Sequence, residues 1–126
     1  MFTIVKPPIP PRAPDFVLGR SDLSPSLTLS TLEVTGALPI GATAKVQLRP
    51  RSGGAARSAP AYIRDHLAAV IEYNWQPIDT ATAGDYDLVL RIIVDGRPLT
   101  FPIGLETDGI TPRRYWLQIT DNALIT

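Results

Sequence analysis

Cysteine is absent from the 126-residue chain. That lack removes disulfides, thiolate catalysis and zinc–thiolate sites together, so stability has to come from packing, from assembly, or from both. Histidine occurs once, at His66. A Ser-His-Asp set would have to be built on that ring, and no Gly-x-Ser-x-Gly elbow supplies a nucleophile for it. No apolar run reaches the roughly 20 residues that span a bilayer. The opening "MFTIVKPPIPPRAPDF" has no charged start followed by an apolar stretch of secretory type, so synthesis in a cytosol without export by that route is expected. Net charge is missing as well: twelve basic and twelve acidic residues cancel, leaving no electrostatic footprint for nucleic acid. Gly53-Gly54 lacks the Lys-Ser/Thr ending of a phosphate cradle. The expectation is a protein that is not an enzyme, with no cofactor and neither a nucleic-acid nor a membrane partner.

What the chain does have is proline at one end and alternation elsewhere. Its length and 44% apolar content suit one globular domain with a single core. Pro7, Pro8, Pro10, Pro11 and Pro14 block helix and favour an extended, solvated backbone. Residues 1–20 therefore read as an extended arm, with Phe2, Ile4 and Phe16 as apolar anchors on a neighbouring subunit. Residues 21–126 read as the folded body.

Within the body the signal is period two, the mark of half-buried strands. Leu27 and Leu29 share a face, and Leu32 and Val34 take the other parity, which predicts a bulge or bend near Ser30 and Thr31. Then come a turn over "GALPIGA" and a strand over "TAKVQLRP", with Ala44, Val46 and Leu48 inward. "RPRSGGAARSAP" reads as a mobile Gly/Ser/Arg loop, and "AYIRDHLAA" is ambiguous between a helical turn and a strand. Ile71, Tyr73 and Trp75 share a face, as do Tyr115, Leu117 and Ile119, which turns Trp116 outward beside Arg114. Of the twelve cations ten are Arg; among them Arg51 and Arg57 fall in the Gly/Ser loop, where the planar guanidinium suits an interface.

The segment "DYDLVLRIIVDGRPLTFPI" allows a sharper expectation. Asp95-Gly96 is a two-residue hairpin signal, since both positions tolerate positive φ. With those two as the turn, Val94 faces Arg97, Ile92 faces Leu99, Leu90 faces Phe101 and Leu88 faces Ile103. The apolar pairs fall on one face, and a slip of one residue would scatter them. In that register Pro98 and Pro102 occupy sites whose missing N–H would point away from the partner strand, so the outer edge resists a further ladder. Short strands, Gly/Pro turns and little helix predict an all-β, antiparallel β-sandwich.

Gly84-x-Tyr86-x-Leu88 sits where an immunoglobulin-type domain places Gly or Ala, x, Tyr, x and a bridging Cys. Tyr86 would bond backwards to loop backbone near Asp79, with Leu88 and Trp75 packing in place of the missing staple. The wider set is Tyr73-x-Trp75, Asp79-Thr80, Gly84-x-Tyr86, Asp95-Gly96 and Thr100-Phe101-Pro102, closing with "YWLQITD". It resembles the N-terminal immunoglobulin-like domain of upper baseplate proteins of tailed bacteriophages and of related small phage virion proteins, over about Ser21 to Asp121. That resemblance implies an immunoglobulin-like fold and a multi-copy virion building block. It would be made in the host cytoplasm and assemble with other phage structural proteins, as tail or baseplate component or capsid decoration. The contacts expected are Phe2, Ile4, Phe16, Arg51, Arg57 and Trp116. The alternative is an attachment module that binds host-surface glycan. Asp85 and Asp87, on one strand face, with Asp79 offer too few oxygens for a calcium cage, and His66 reads as a surface or loop residue.

Overall fold

A computed structural model describes residues 13–104 and 108–121. Eight strands follow in chain order: β1 (Phe16–Gly19), β2 (Leu27–Ser30), β3 (Thr43–Pro50), β4 (Arg57–Asp65), β5 (Val70–Tyr73), β6 (Gly84–Val94), β7 (Arg97–Phe101) and β8 (Tyr115–Thr120). One helical turn, α1 (Leu32–Thr35), and a 3-10 turn over Pro77–Asp79 complete the described elements. The chain is all-β. Its strands lie in the order β1-β8-β6-β3-β4-β5-β2, with β7 attached to β6. Every pairing is antiparallel except β1 with β8, which run parallel, so the sheet is mixed rather than purely antiparallel.

The sheet curls about one core. Alternation sends Ala44, Val46 and Leu48 of β3 inward, and they meet Leu88, Leu90 and Ile92 of β6 in register. Ile71, Tyr73 and Trp75 arrive from the far side, and Leu117 and Ile119 from β8. Leu18 of β1 and Leu27 of β2, from opposite ends of the strand order, join the same cluster. Leu88, Leu90, Ile92 and Leu117 have no exposed surface, and truncating any one to Ala would cost about 2–5 kcal/mol.

The Asp95-Gly96 reversal forms as expected. Asp95 and Gly96 both hold positive φ, 50° and 77°, the pair of conformations that matches strand twist in a two-residue turn. Val94 faces Arg97, Ile92 faces Leu99 and Leu90 faces Phe101. The fourth pair does not form. The ladder stops at Phe101, Ile103 lies exposed, and Leu88 pairs with Tyr115 instead. β7 and β8 therefore share one edge of β6, each taking half its length.

Three further expectations change. No bulge bends a strand at Ser30–Thr31; β2 ends there and α1 follows, with Leu32 and Val34 exposed on it. Thr31 and Thr35 join their hydroxyls across this turn. The Gly/Ser/Arg stretch is a loop only as far as residue 56, because Arg57–Asp65 forms β4 against β3 and β5. "AYIRDHLAA" is thus strand through Asp65 and turn thereafter. Phe16–Gly19, placed in the arm by its neighbouring prolines, is a strand of the body.

Candidate functional site

Two clusters of Arg, Asp and aromatic side chains stand out, one inside and one outside. The inner one centres on Asp79, at the end of the 3-10 turn. Its carboxylate is buried and accepts from the Tyr73 hydroxyl at 2.5 Å, from the Gln76 backbone N–H at 2.7 Å, and from the Arg57 guanidinium. Three donors make good the solvation that burial removes. Burial raises the Tyr73 hydroxyl above its ordinary value, with Arg57 opposing. Nearby, Gly84 at φ 146° takes a conformation that side chains rarely adopt, starting β6. Tyr86 then donates to the Thr82 carbonyl at 2.6 Å, four residues back and three beyond Asp79. Burial pushes this hydroxyl up as well.

The outer cluster lies on the solvent face of β6 and β8. Because Tyr115, Leu117 and Ile119 face the core, Trp116 must face out, and register sets it beside Asp87. The indole N–H donates to Asp85 at 2.8 Å. The Arg51 guanidinium lies over the ring, 4.9 Å from its centroid, a cation–π contact. Arg51 in turn donates to Asp87 at 2.8 Å, and Arg114 reaches the other oxygen of Asp87 at 3.2 Å. On its own strand Trp116 is clamped through the backbone. Asp15 N–H donates to its carbonyl at 2.9 Å, and the Asp15 carboxylate accepts its N–H at 2.7 Å. The result is a half-buried aromatic on the outer face whose ring is fixed from two sides.

A cleft of about 470 Å³ opens beside this cluster, between residues 50–53 and 82–86. It places Arg51 and Asp85 at its wall together with Ser52 and Gly53. A smaller cleft of about 190 Å³, lined in part by Arg49, Asp87 and Arg114, lies on the other side of Asp87.

The expected contact residues separate into groups. Arg51 and Trp116 come together, as side chains that could act on one partner. Arg57 does not join them: it opens β4, and its guanidinium is spent on Asp79 within the chain. Phe16 packs on Tyr115 of its own chain, ring centroids 5.6 Å apart. Phe2 and Ile4 lie outside the described residues. His66 sits in the β4–β5 turn, where its Nδ1 faces the Leu38 and Pro39 carbonyls at 3.2 and 3.1 Å. Asp79 is engaged inside while Asp85 and Asp87 are engaged outside, and no three His, Cys, Asp or Glu residues among the described ones converge on a metal position. Also among the described residues, no helix is long and apolar enough to cross a membrane.

Sequence reasoning weighed Asp85 and Asp87 as calcium ligands and missed them as supports for Trp116. Their shared parity was visible. Their pairing with β8 was not, because β7 and a long loop intervene. No family model matches the chain, and no curated protein or solved structure shows significant similarity to it.

Proposed function

We propose that the protein is a non-enzymatic bacteriophage virion component that works by protein–protein assembly, in tail, baseplate or capsid decoration. Its body is an immunoglobulin-like sandwich. Support for that fold comes from the first strand running parallel to the last, from β6 flanked by β3 and β8, and from the Tyr86 corner. The phage assignment rests on the resemblance of the motif set from Tyr73 to Asp121.

The observation that carries the assembly reading is the fixed, half-buried Trp116 on the outer face of the sheet. Aromatic and Arg side chains dominate the energetics of protein interfaces. A ring already held by Asp85 and Arg51 loses little freedom on binding, which is where affinity is otherwise lost. Mass spectrometry of purified particles tests the proposal. The chain is expected among the virion proteins, in hundreds of copies for a capsid location or a handful for a tail. Its absence from intact particles would remove the reading.

A second reading has an observation of its own. Arg51 and Asp85, both held against Trp116, line an open cleft with Tyr86 and also fit a sugar, which hydrogen-bonds to carboxylate and guanidinium. Under this alternative the protein is a host-surface glycan-binding attachment module. Glycan-array binding by the isolated chain, lost in Trp116→Ala, would favour it over assembly.

A further inference from the structure

The curled sheet does not close. β1 pairs only with β8 and β2 only with β5 among the described residues, so each ends the strand order with one unused edge. These two edges flank a single cleft of about 320 Å³, lined by Phe16, Val17 and Leu18 on one side and Pro25 to Thr28 on the other. Trp75 contributes to its lining and is fixed by donating its indole N–H to the Pro25 carbonyl at 2.9 Å. Its exposed lining is predominantly apolar. Unused strand edges beside an apolar cleft form a receptor for an extended segment, with backbone pairing for affinity and alternate side chains for specificity.

We propose that this cleft receives residues Phe2–Val5 from a second copy of the chain, an inference that rests on the assembly reading and gives the arm its binding site. The segment "FTIV" combines β-branched and aromatic residues, which suit a strand. It is four residues long, as β1 and β2 are. Phe2 and Ile4 alternate onto one face, supplying two apolar side chains for the cleft, and Thr3 and Val5 take the other.

Reach decides in favour of a second copy over the chain's own cleft. Five prolines stand among residues 6–14, and each also biases the residue before it toward extended backbone. That stretch resists the reversal needed to lay Phe2–Val5 back beside Phe16. Continued straight from Asp15, an extended arm carries Ile4 roughly 34 Å away at about 3.1 Å per residue. From the level of Asp15, the body extends only about 23 Å further along β6, from Asp87 to Val94 at about 3.3 Å per residue. An arm extended in this way would pass the end of its own domain, which favours a neighbour's cleft.

The absence of cysteine makes the test clean. Thr3→Cys and Thr28→Cys are made as separate full-length single variants; Thr28 lies on β2, exposed at the cleft and on the outer face that Thr3 takes in the paired segment. The two are mixed with one isotopically labelled, oxidised, and digested for mass spectrometry. The expected product is a disulfide between residue 3 of one chain and residue 28 of another, at least tenfold in excess of 3–3 or 28–28 links. Equal yields of the three links would overturn the proposal. So would a 3–28 link formed within one chain in the double variant, since the arm then serves its own cleft. Failure here, together with loss of particle occupancy when residues 1–14 are deleted, would mean that the arm binds a different virion protein and that the assembly reading stands.

Discussion

The Asp79 cluster and the Trp116 cluster use the same parts to opposite ends. Each joins an aspartate to an arginine and an aromatic side chain, and each spans more than one strand. Around Asp79 the carboxylate is sealed off and all its donors come from within the fold. Around Trp116 the ring is only half-buried, and its partners Arg51 and Asp85 line a cleft. Burial separates a tie that holds strands together from the outer face that we propose for a partner. A carboxylate with no access to water cannot lose a donor cheaply, whereas exposed ion pairs contribute little to stability and are free to serve recognition.

That contrast is broken most readily at its buried end. Asp79→Ala is expected to cost about 3–5 kcal/mol by urea unfolding, because it strands the Arg57 and Tyr73 groups and unties the Gln76 N–H. Arg57→Ala should cost less, about 1–3 kcal/mol, since its side chain is 36% exposed and water compensates in part. If both changes cost under about 0.5 kcal/mol, the inner cluster is no staple.

Next in size is the corner. Tyr86→Phe removes one hydrogen bond to Thr82 and is expected to cost about 1 kcal/mol. The hydroxyls of Tyr73 and Tyr86 are raised above 10.0 by burial, so folding favours their protonated forms. Their contribution is complete below pH 10 and is lost as pH rises through the raised values. The urea midpoint should therefore fall as pH rises above 10, and less steeply in Tyr86→Phe. A midpoint flat above pH 10 would contradict the raised hydroxyls.

On the outer side, Asp87→Ala should cost about 1 kcal/mol or less while freeing Arg51 and loosening the ring of Trp116, seen as faster indole fluorescence depolarisation. The smallest effect concerns the loop before β8. Asp108 accepts from the Ile110 and Thr111 N–H groups and from the Thr111 hydroxyl, and its carboxyl is lowered to about 2. These bonds are fully present above the ordinary carboxylate value and lost as pH falls through about 2. The amide shifts of Ile110 and Thr111 should titrate there and vanish as a titration in Asp108→Asn.

Much of the fold was legible where two conditions held: alternation over five or more residues, and a turn that fixes register. β3, β6, β7 and β8 meet the first, and Asp95-Gly96 supplies the second. Legibility failed where side chains were small or segments short. Ala59 and Ala61 alternate along β4 but carry too little apolar surface to announce a strand. Leu32 and Val34 mimic alternation, and one helical turn is too brief to display its own period. The parallel union of β1 with β8 joins residues about a hundred apart, and nothing local encodes it. The site was half legible for the same reason. Parity showed Trp116 outward, whereas Arg51, Asp85 and Asp87 reach it only through the sheet. Arg57 looked like an interface residue because its buried partner lies 22 positions on.

Trp116→Ala tests the proposed virion role most directly, measured as copies per purified particle alongside the unfolding midpoint of the isolated protein. The expected result is a folded protein, destabilised by no more than about 2 kcal/mol for the lost half-buried ring, whose occupancy falls at least tenfold. Full occupancy with the ring removed would contradict the claim that this face joins the protein to its neighbours.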